Sequence, residues 1–322
     1  MFFDLASLTK PLVTAPLALE YLDLDIDWSD RLGASDWPGP ITPRHLLSHA
    51  AGMPPWMPYV GMSVFEQIEA INTWGRHRLL NKATWGKSTY SDISYRLLAE
   101  ILEMETGQDW AVIGENLTGL LSAPWDERLV SMPPGADFDA WCIATTTPFP
   151  DPKPGLPHDA NARAGMKGHA GFGATPESAC NWLSAWLKDF CGRMAVETNL
   201  STDGQIWGLG LQILKNGENG FAELLDNMAI QGVQVISYEG IEDPPSLPPH
   251  VPTDCSDWWF HFGYTGPAMF VRPRDLTCVL ILCHRLGNKT QLLSADELRA
   301  RRMEILGKSL PTAKVIKLAK RF

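Results

Sequence analysis

Apolar residues recur at every third or fourth position in several parts of the chain, a spacing that predicts amphipathic helices. The clearest pattern spans 92–106, where a helix would end at Gly107 and bury a face made of Ile93, Leu97, Leu98, Ile101 and Leu102. Four further segments are expected to be helical: 7–21, 44–50, 176–190 and 295–310. In the first of these, Pro11 lies in the opening turn and is tolerated, whereas Pro16 is expected to kink the helix.

The pattern changes after about residue 205, where short runs rich in β-branched and aromatic residues predict strands. Three such runs lie at 258–264, 268–272 and 276–283, and turn residues separate each run from the next. An antiparallel meander is the simplest arrangement for them. Because helices precede strands without regular alternation, we expect an α+β fold, with an antiparallel sheet flanked by helices and a mostly helical region.

The chain is expected to form a single unit over 1–322. A region of helix and loop would occupy 22–204. The remaining parts, 1–21 and 205–310, would supply the first helix, the sheet and the last helix. Residues 311–322 are rich in lysine and are predicted to be a solvated basic tail.

Composition excludes several classes of function. The formal net charge of −10 argues against nucleic-acid binding, since phosphate contacts require clustered Lys and Arg. The longest apolar run, 278–283, is far shorter than the roughly 20 residues that cross a bilayer, so no membrane association is expected. No signal peptide is visible, and the chain as printed is expected to be cytoplasmic; a start further upstream would allow a periplasmic location. The six cysteines lack Cys-x-x-Cys spacing and are expected to be reduced and mostly buried.

Ser7 and Lys10 are separated by one helical turn at the start of the first predicted helix. Residues three apart on a helix project side by side, so the lysine amine would reach the serine hydroxyl. A serine hydroxyl becomes a nucleophile when a neighbouring group takes its proton, and a lysine whose pKa is lowered by burial can be that group. Taken alone, the spacing is more typical of a helix-capping serine beside a solvated lysine.

Two further segments carry the residue types that a serine–lysine pair would need. Tyr90-Ser91-Asp92 opens the helix 92–106, where a tyrosine oxygen held near an ammonium group can shuttle a proton. The segment 261–264 lies on a predicted strand, and the Tyr264 N–H paired with that of Ser7 would form an oxyanion hole. Taken singly, the tyrosine and the histidine of these segments are more typical of core residues.

In order and spacing, these three segments resemble the three motifs of the β-lactamase-related serine hydrolases. That family comprises class C β-lactamases, penicillin-binding D-amino peptidases and their esterase relatives. Two accessory stretches agree: 41–49 is similar to the family's Ile-Thr-x-x-His-Leu-Leu-Ser-His segment, and 158–162 with 168–172 resembles another of its loops. The resemblance runs from residue 4 to about residue 285 and implies the β-lactamase/transpeptidase-like fold.

The resemblance also implies roles for individual residues. Ser7 would be the acylated nucleophile, Lys10 its base and Tyr90 the proton relay. The substrate and oxyanion contacts would come from Asp92, His261, Phe262, Gly263 and Tyr264. The reaction would use a small-molecule acyl substrate and no cofactor.

Two departures from the family pattern bear on the substrate. Asp92 stands where many members have Asn, although esterase-like branches often carry Asp at this position. Phe262 replaces the usual Thr or Ser, whose hydroxyl binds a substrate carboxylate. We therefore expect hydrolysis of small carboxylic esters. The alternatives are a β-lactamase or D-amino peptidase, and a catalytically degraded homologue that acts as a binding or regulatory module.

A third departure concerns the sheet. Members of the family have a helix and a β-hairpin before the serine motif, whereas only six residues precede Ser7 here. The sheet is therefore expected to be thin, with one strand edge unpaired. Either the start of the chain is misassigned, or the chain is stabilised by association across that edge, as in a homo-oligomer.

One alternative site was weighed in the accessory stretch. His45 and His49 have the i, i+4 spacing of a zinc pair on a helix. No Glu lies between them and no third ligand is evident, so no metal site is predicted.

Overall fold

The computed structural model describes residues 2–58, 61–74, 85–123, 125, 156–196, 198, 206–214, 221, 225, 233–238, 258–285, 293–307 and 313–317. Its helices are α1 Ala15–Tyr21, α2 Pro43–Leu47, α3 Val64–Trp74, α4 Asp92–Thr106, α5 Trp110–Thr118, α6 Ala160–Arg163, α7 Pro176–Asp189, α8 Cys191–Met194 and α9 Ala295–Gly307. Its strands are β1 Phe3–Asp4, β2 Leu121–Ser122, β3 Phe172–Ala174, β4 Gln212–Ile213, β5 Val233–Tyr238, β6 Trp259–Phe262, β7 Ala268–Arg272, β8 Thr277–Leu282 and β9 Ala313–Lys317. The α+β fold predicted from the sequence is confirmed.

The first predicted helix is divided into three pieces of different geometry. A 3₁₀ turn over Ala6–Leu8 is followed by a π-helical segment, Lys10–Thr14, and then by α1. Proline has no N–H to contribute to a helix, and Pro16 lies in the first turn of α1, where no such bond is needed. The helix changes from π-helical to α-helical at Ala15, just before Pro16, and the Lys10 side chain is fully buried.

Helix α4 has the bounds that its apolar spacing predicts. Its N-cap Ser91 accepts a hydrogen bond from the Ser94 N–H at 3.1 Å, and Gly107 closes its C-terminus with φ of +65°. Helix α2 is shorter than predicted, because the chain leaves the helix at Ser48 and His49 takes a left-handed φ of +58°. The early end of α2 and the π-helical segment before α1 both lie next to the candidate site.

The main sheet has six strands in the order β4-β6-β7-β8-β5-β9. The meander β6-β7-β8 is antiparallel, as predicted, with Phe260 opposite Phe270 and Met269 opposite Leu280. Strand β5 then pairs with β8 in parallel, and β9 pairs with β5 in the antiparallel sense. The sheet is therefore mixed and twice as wide as the three strands that the sequence indicates.

Two expectations from the sequence are corrected by these strands. The sheet, expected to be thin, continues beyond β8 through β5, which pairs with it along Val233–Tyr238, and β4 and β9 are the outer strands among those described. Residues 313–317, assigned to a solvated tail, form β9 and pair with β5 instead. A homo-oligomer stays a prediction.

The main sheet is buried on both faces. On β8, Cys278, Leu280 and Leu282 pack into the cluster that includes α7, whereas Val279 and Ile281 pack into the cluster that includes α9. Burial on both faces explains why β8 is a continuous apolar run rather than an alternating one. A second sheet has three strands in the order β1-β3-β2. Its strand β1 lies just before Ser7 in the chain.

Four of the cysteines lie in the described ranges, and Cys180, Cys191, Cys278 and Cys283 are free and buried, as expected. Cys142 and Cys255 lie outside the described residues. Among the helices given above, none is long and apolar enough to cross a bilayer.

Gly168 lies in the segment that precedes β3, where that segment packs closely against helix α4. It has φ of +84°, and its carbonyl accepts a hydrogen bond from Thr14 Oγ1 at 2.6 Å. A Cβ at this position would lie 2.0 Å from the Tyr95 carbonyl oxygen, which belongs to the backbone of α4 and cannot move aside easily. The close approach of two backbones therefore requires glycine here.

We predict that Gly168→Ala destabilises the fold by about 3 kcal/mol or more, because left-handed strain and a backbone clash add together. Gly107→Ala is the matched control: Gly107 is also left-handed, but nothing lies within 4 Å of its Cβ position. The control should lose only about 1–2 kcal/mol. Urea unfolding of both variants measures the difference, and equal losses would contradict the prediction.

Candidate active site

Ser7 lies in the 3₁₀ turn between β1 and the π-helical segment. The residue before it, Ala6, has φ of +44°, a left-handed conformation that costs a non-glycine residue about 1–2 kcal/mol. Asp4 Oδ1 accepts the Ala6 N–H at 2.8 Å and so supports this conformation. Strained backbone of this kind is concentrated at functional sites, where the surrounding structure holds it in place.

Tyr90 and Ser7 meet as the motif order predicts. Tyr90 Oη donates a hydrogen bond to Ser7 Oγ at 3.0 Å. Burial raises the pKa of the Tyr90 phenol, and the nearby Lys10 opposes that shift without cancelling it. The phenol is therefore neutral when no substrate is bound, and its oxygen lies within hydrogen-bond distance of the Ser7 hydroxyl.

Lys10 is fully buried and is held by two oxygens. Its Nζ lies 2.7 Å from Asp92 Oδ1 and donates a hydrogen bond to the His169 carbonyl at 2.9 Å. It also lies 4.9 Å from the centroid of the Tyr90 ring, within range of a cation–π interaction. Tyr90 is the group that contacts the serine oxygen, and among the described residues no hydrogen bond joins Lys10 to Ser7, so the contact predicted between the lysine amine and the serine hydroxyl is not found.

The expected lowering of the Lys10 pKa is not found. Burial does favour the neutral amine, but Asp92 and Tyr90 outweigh it, and the pKa of Lys10 is raised above its ordinary value. Lys10 is therefore an ammonium in the resting protein. Asp92, whose side chain is 16% exposed, is its counter-ion and also borders the pocket.

His49 packs against the Tyr90 ring and binds the main chain of the next residue, Ser91. Its Nδ1 accepts the Ser91 N–H at 3.0 Å, and its ring lies 4.8 Å from that of Tyr90 and 4.6 Å from that of Trp207. Burial lowers the pKa of His49 well below its ordinary value, so the ring is neutral and acts as an acceptor. The sequence analysis singled out this segment but assigned no role to His49.

His45 and His49, whose spacing suggested a zinc pair, contact different partners. His45 Nδ1 lies 2.7 Å from Thr42 Oγ1, whereas His49 turns inward to Ser91. Within the part of the chain that the structure describes, no three His, Cys, Asp or Glu side chains are placed to hold a metal ion.

His261 and Phe262, adjacent on β6, face opposite sides of the sheet. The His261 ring is buried 6.0 Å from that of Tyr90, and burial lowers its pKa to about 3, so it is neutral. Phe262 instead lines the pocket, 4.7 Å from the Phe260 ring and 4.4 Å below the Arg302 guanidinium. The residue of the third motif that lines the pocket is thus aromatic.

Gly263 and Tyr264 follow strand β6 and lie beside the turn that holds Ser7. A Cβ on Gly263 would lie 2.9 Å from the Leu5 carbonyl oxygen, so glycine is what lets β6 approach the turn that holds Ser7. The Tyr264 ring is 54% exposed and packs between the His158 ring and the Arg285 guanidinium. Over the described ranges, no main-chain oxygen accepts the Tyr264 N–H, which suits a donor to substrate.

The pocket beside Ser7 has a volume of about 890 Å³. Phe262, Phe221 and Trp56 form apolar parts of its wall, whereas Asp159, Arg163 and Arg299 form polar parts. A space of this size accommodates a small-molecule substrate.

The second accessory stretch also binds Lys10, through the His169 carbonyl. No pattern in the sequence indicates this contact. His169, whose carbonyl accepts from Lys10, has its Nε2 2.9 Å from Asp159 Oδ1. Burial works to raise the pKa of Asp159, but His169 and the Ala162 N–H lower it to about 2. Asp159 is therefore a carboxylate, and it fixes the orientation of His169.

Comparison with known proteins identifies the class to which this fold and site belong. The Beta-lactamase family model matches residues 1–303. The chain therefore belongs to the beta-lactamase family. A search of curated proteins gave no significant match.

Solved structures show the same fold. A β-lactamase/D-alanine carboxypeptidase from Pseudomonas syringae matches with a TM-score of 0.58 and 16% identity, over 96% of this chain and 85% of that one. A class C β-lactamase from Rhodobacter sphaeroides matches with a TM-score of 0.57 and 18% identity, over 95% and 84%. A β-lactamase from Sulfitobacter sp. EE-36 matches with a TM-score of 0.56 and 19% identity, over 95% and 82%.

The neutral His261 generates a prediction about acid stability. Its pKa is about 3 in the folded chain and about 6.5 when unfolded, so the unfolded state binds more protons between these values. The stabilising contribution is complete above pH 6.5 and is lost as the pH falls towards 3. We predict that the wild-type advantage in unfolding free energy over His261→Gln shrinks by about 2 kcal/mol between pH 7 and pH 4.5. Unfolding at both pH values measures it, and a constant difference would contradict it.

Proposed function

We propose that this chain is a serine hydrolase that forms an acyl-enzyme on Ser7 and acts on small carboxylic esters. The observation that carries the proposal is the hydrogen bond of 3.0 Å between Tyr90 Oη and Ser7 Oγ, backed by the buried Lys10–Asp92 pair. A neutral phenol against a serine hydroxyl, with a fixed ammonium behind it, is an arrangement that can move the serine proton.

In the first step, Ser7 Oγ attacks the ester carbonyl while its proton passes to Tyr90 Oη. Tyr90 gives its own proton to the leaving alcohol oxygen as the carbon–oxygen bond breaks, so the phenol ends unchanged. The two transfers are concerted, so the phenol oxygen is never doubly protonated. Where the transfer to the leaving oxygen runs ahead, the Lys10 ammonium stabilises the partial negative charge on the phenol oxygen. In the second step, water attacks the acyl-enzyme, its proton passes to Tyr90, and Tyr90 returns a proton to Ser7.

Lys10 thus acts as a charged neighbour rather than as the base in the resting state. Its pKa is raised, and Asp92 at 2.7 Å holds the proton on the amine. The role expected from the motif is kept in part: Lys10 assists the serine through Tyr90.

The pocket wall supports an ester rather than a substrate with a carboxylate beside the reacting carbonyl. Phe262 places an aromatic ring there. Arg302 is committed to the main chain, donating to the carbonyls of Gly266 at 2.8 Å and Gly263 at 3.0 Å. The hydroxyl of Thr265 is also committed, since it donates to the Asp4 carbonyl at 3.2 Å.

The alternative is hydrolysis of a β-lactam or a D-amino peptide. It is supported by the similar fold of the Pseudomonas syringae protein, described as a β-lactamase/D-alanine carboxypeptidase. A catalytically degraded homologue is the remaining alternative, and the intact contact between Ser7 and Tyr90 speaks against it.

We predict that the chain hydrolyses p-nitrophenyl acetate faster than nitrocefin, and that a fluorophosphonate probe labels Ser7. Ser7→Ala should abolish both activities. Tyr90→Phe keeps the ring but removes the relay oxygen, so it should lower the rate by at least about a hundredfold. Faster hydrolysis of nitrocefin would reverse the substrate assignment, and activity or labelling that survives in Ser7→Ala would refute the mechanism.

We also predict that Phe262→Thr changes the preference between the two substrates. A hydroxyl in place of the ring offers a hydrogen bond to a carboxylate and removes apolar surface from the wall. The ratio of nitrocefin to ester hydrolysis should rise by about tenfold or more, which corresponds to one new hydrogen bond to a charged group. Phe190→Leu, a buried aromatic that follows α7 and does not line the pocket, is the control and should leave the ratio unchanged. An unchanged ratio in Phe262→Thr would show that this wall does not select the substrate.

A further inference from the structure

Asp4 is a buried carboxyl that the proposed reaction does not use. It lies in β1, before Ser7, and is only 2% exposed. Oδ1 accepts the Ala6 N–H at 2.8 Å, and Oδ2 accepts the His158 N–H at 2.9 Å. Its main-chain carbonyl accepts the Thr265 hydroxyl at 3.2 Å. Asp4 is thus bound to its own turn, at Ala6, and to two segments that are distant in sequence, at His158 and Thr265.

Each of the three segments borders the place where a substrate carbonyl would sit. The bond to Ala6 supports the left-handed conformation that directs the next residue, Ser7, into the pocket. Thr265 follows Tyr264, whose N–H is the second donor of the predicted oxyanion hole. The ring of His158 stacks on that of Tyr264, with centroids 5.3 Å apart.

We propose that Asp4 is a positioning residue that fixes the Ser7 and Tyr264 N–H groups relative to each other, so that both reach the oxyanion of the reacting ester. This inference rests on the proposed function. An oxyanion hole works only when its donors are aimed in advance at the place where charge develops, so a small displacement of one donor lowers the rate.

The chemistry at Asp4 requires a carboxylate. Two N–H groups from different segments point at its two oxygens, and a carboxylate accepts both. An asparagine has one oxygen, so its NH₂ group would face one of the two N–H donors and repel it. The substitution Asp4→Asn keeps the size of the side chain and loosens one of the two attachments.

The environment makes this carboxylate sensitive to protonation. Burial raises the pKa of Asp4 to about 7, against the lowering effect of the bonds from His158 and Ala6. Of the charged groups that face it, Asp159 raises its pKa and Arg163 lowers it. Protonation converts one acceptor oxygen into a hydroxyl donor, with the same consequence as Asp4→Asn.

Steady-state hydrolysis of p-nitrophenyl acetate by wild-type protein and Asp4→Asn tests the proposal. We expect kcat to fall by about a hundredfold, within the range for a misplaced oxyanion donor, while KM changes by less than about threefold. Loss confined to the transition state is what a displaced oxyanion donor produces, whereas a general loosening of the pocket would raise KM as well.

Asp109→Asn is the matched control. Asp109 is the N-cap of α5, accepts the Ala111 N–H at 2.8 Å and does not line the pocket, so the same change removes a more exposed carboxylate that also accepts a main-chain N–H. It should leave kcat unchanged. Thr265→Val is the second variant, since it removes the hydroxyl that binds Asp4 and keeps the side-chain shape; it should lower kcat by about tenfold with little change in KM.

The outcomes separate this inference from the proposed function. A wild-type protein without Ser7-dependent hydrolysis would defeat the proposed function itself. An active wild type whose kcat survives in folded Asp4→Asn, or falls equally in Asp109→Asn, would overturn the role of Asp4. If Asp4→Asn does not fold, Thr265→Val decides, and an unchanged kcat in that variant overturns the proposal.

Discussion

The site depends on one constraint, which is that a fully buried ammonium must be compensated. Removing an ammonium from water costs several kcal/mol unless an opposite charge and hydrogen-bond acceptors replace the solvent. For Lys10 these are Asp92 at the start of α4 and the His169 carbonyl in the segment before β3. The π-helical segment, α4 and the 168–172 segment must therefore come together at this side chain.

Burial sets the protonation states of the neighbours. It lowers the pKa of His49 and His261, an effect to which the Lys10 charge adds, and it raises the pKa of Tyr90 against the opposing effect of Lys10. One permanent positive charge thus lies beneath a layer of neutral rings. The chemistry open to such a site is the passage of a proton through the phenol, stabilised by a charge that does not itself move.

The sequence predicts what local patterns determine. Helix α4 is found with its bounds because its caps, Ser91 and Gly107, are local signals, and the meander β6-β7-β8 because short turns separate its strands. The pairing of β5 with β8 and β9 was not predictable, since a parallel neighbour lies far along the chain and no local pattern identifies it.

The site divides in the same way. The order of motifs was enough to bring Ser7, Tyr90 and Phe262 to one pocket. The raised pKa of Lys10 was missed because its counter-ion comes from another motif, and spacing within one motif cannot show which charge wins. Asp4 was missed because a carboxyl next to a nucleophile has no sequence signal of burial. The segments around His49 and His169 did carry a signal, as accessory motifs without an assigned role.

The pairing of β1 with β3 has a consequence for synthesis on the ribosome. Asp4 pairs with Gly173, so the first strand has no partner in its sheet until the chain has been made past β3. His169 and the β3 partners of β1 are synthesised almost together, and β6 with Gly263 follows much later. The residues that hold Lys10 are thus synthesised before those of the oxyanion side.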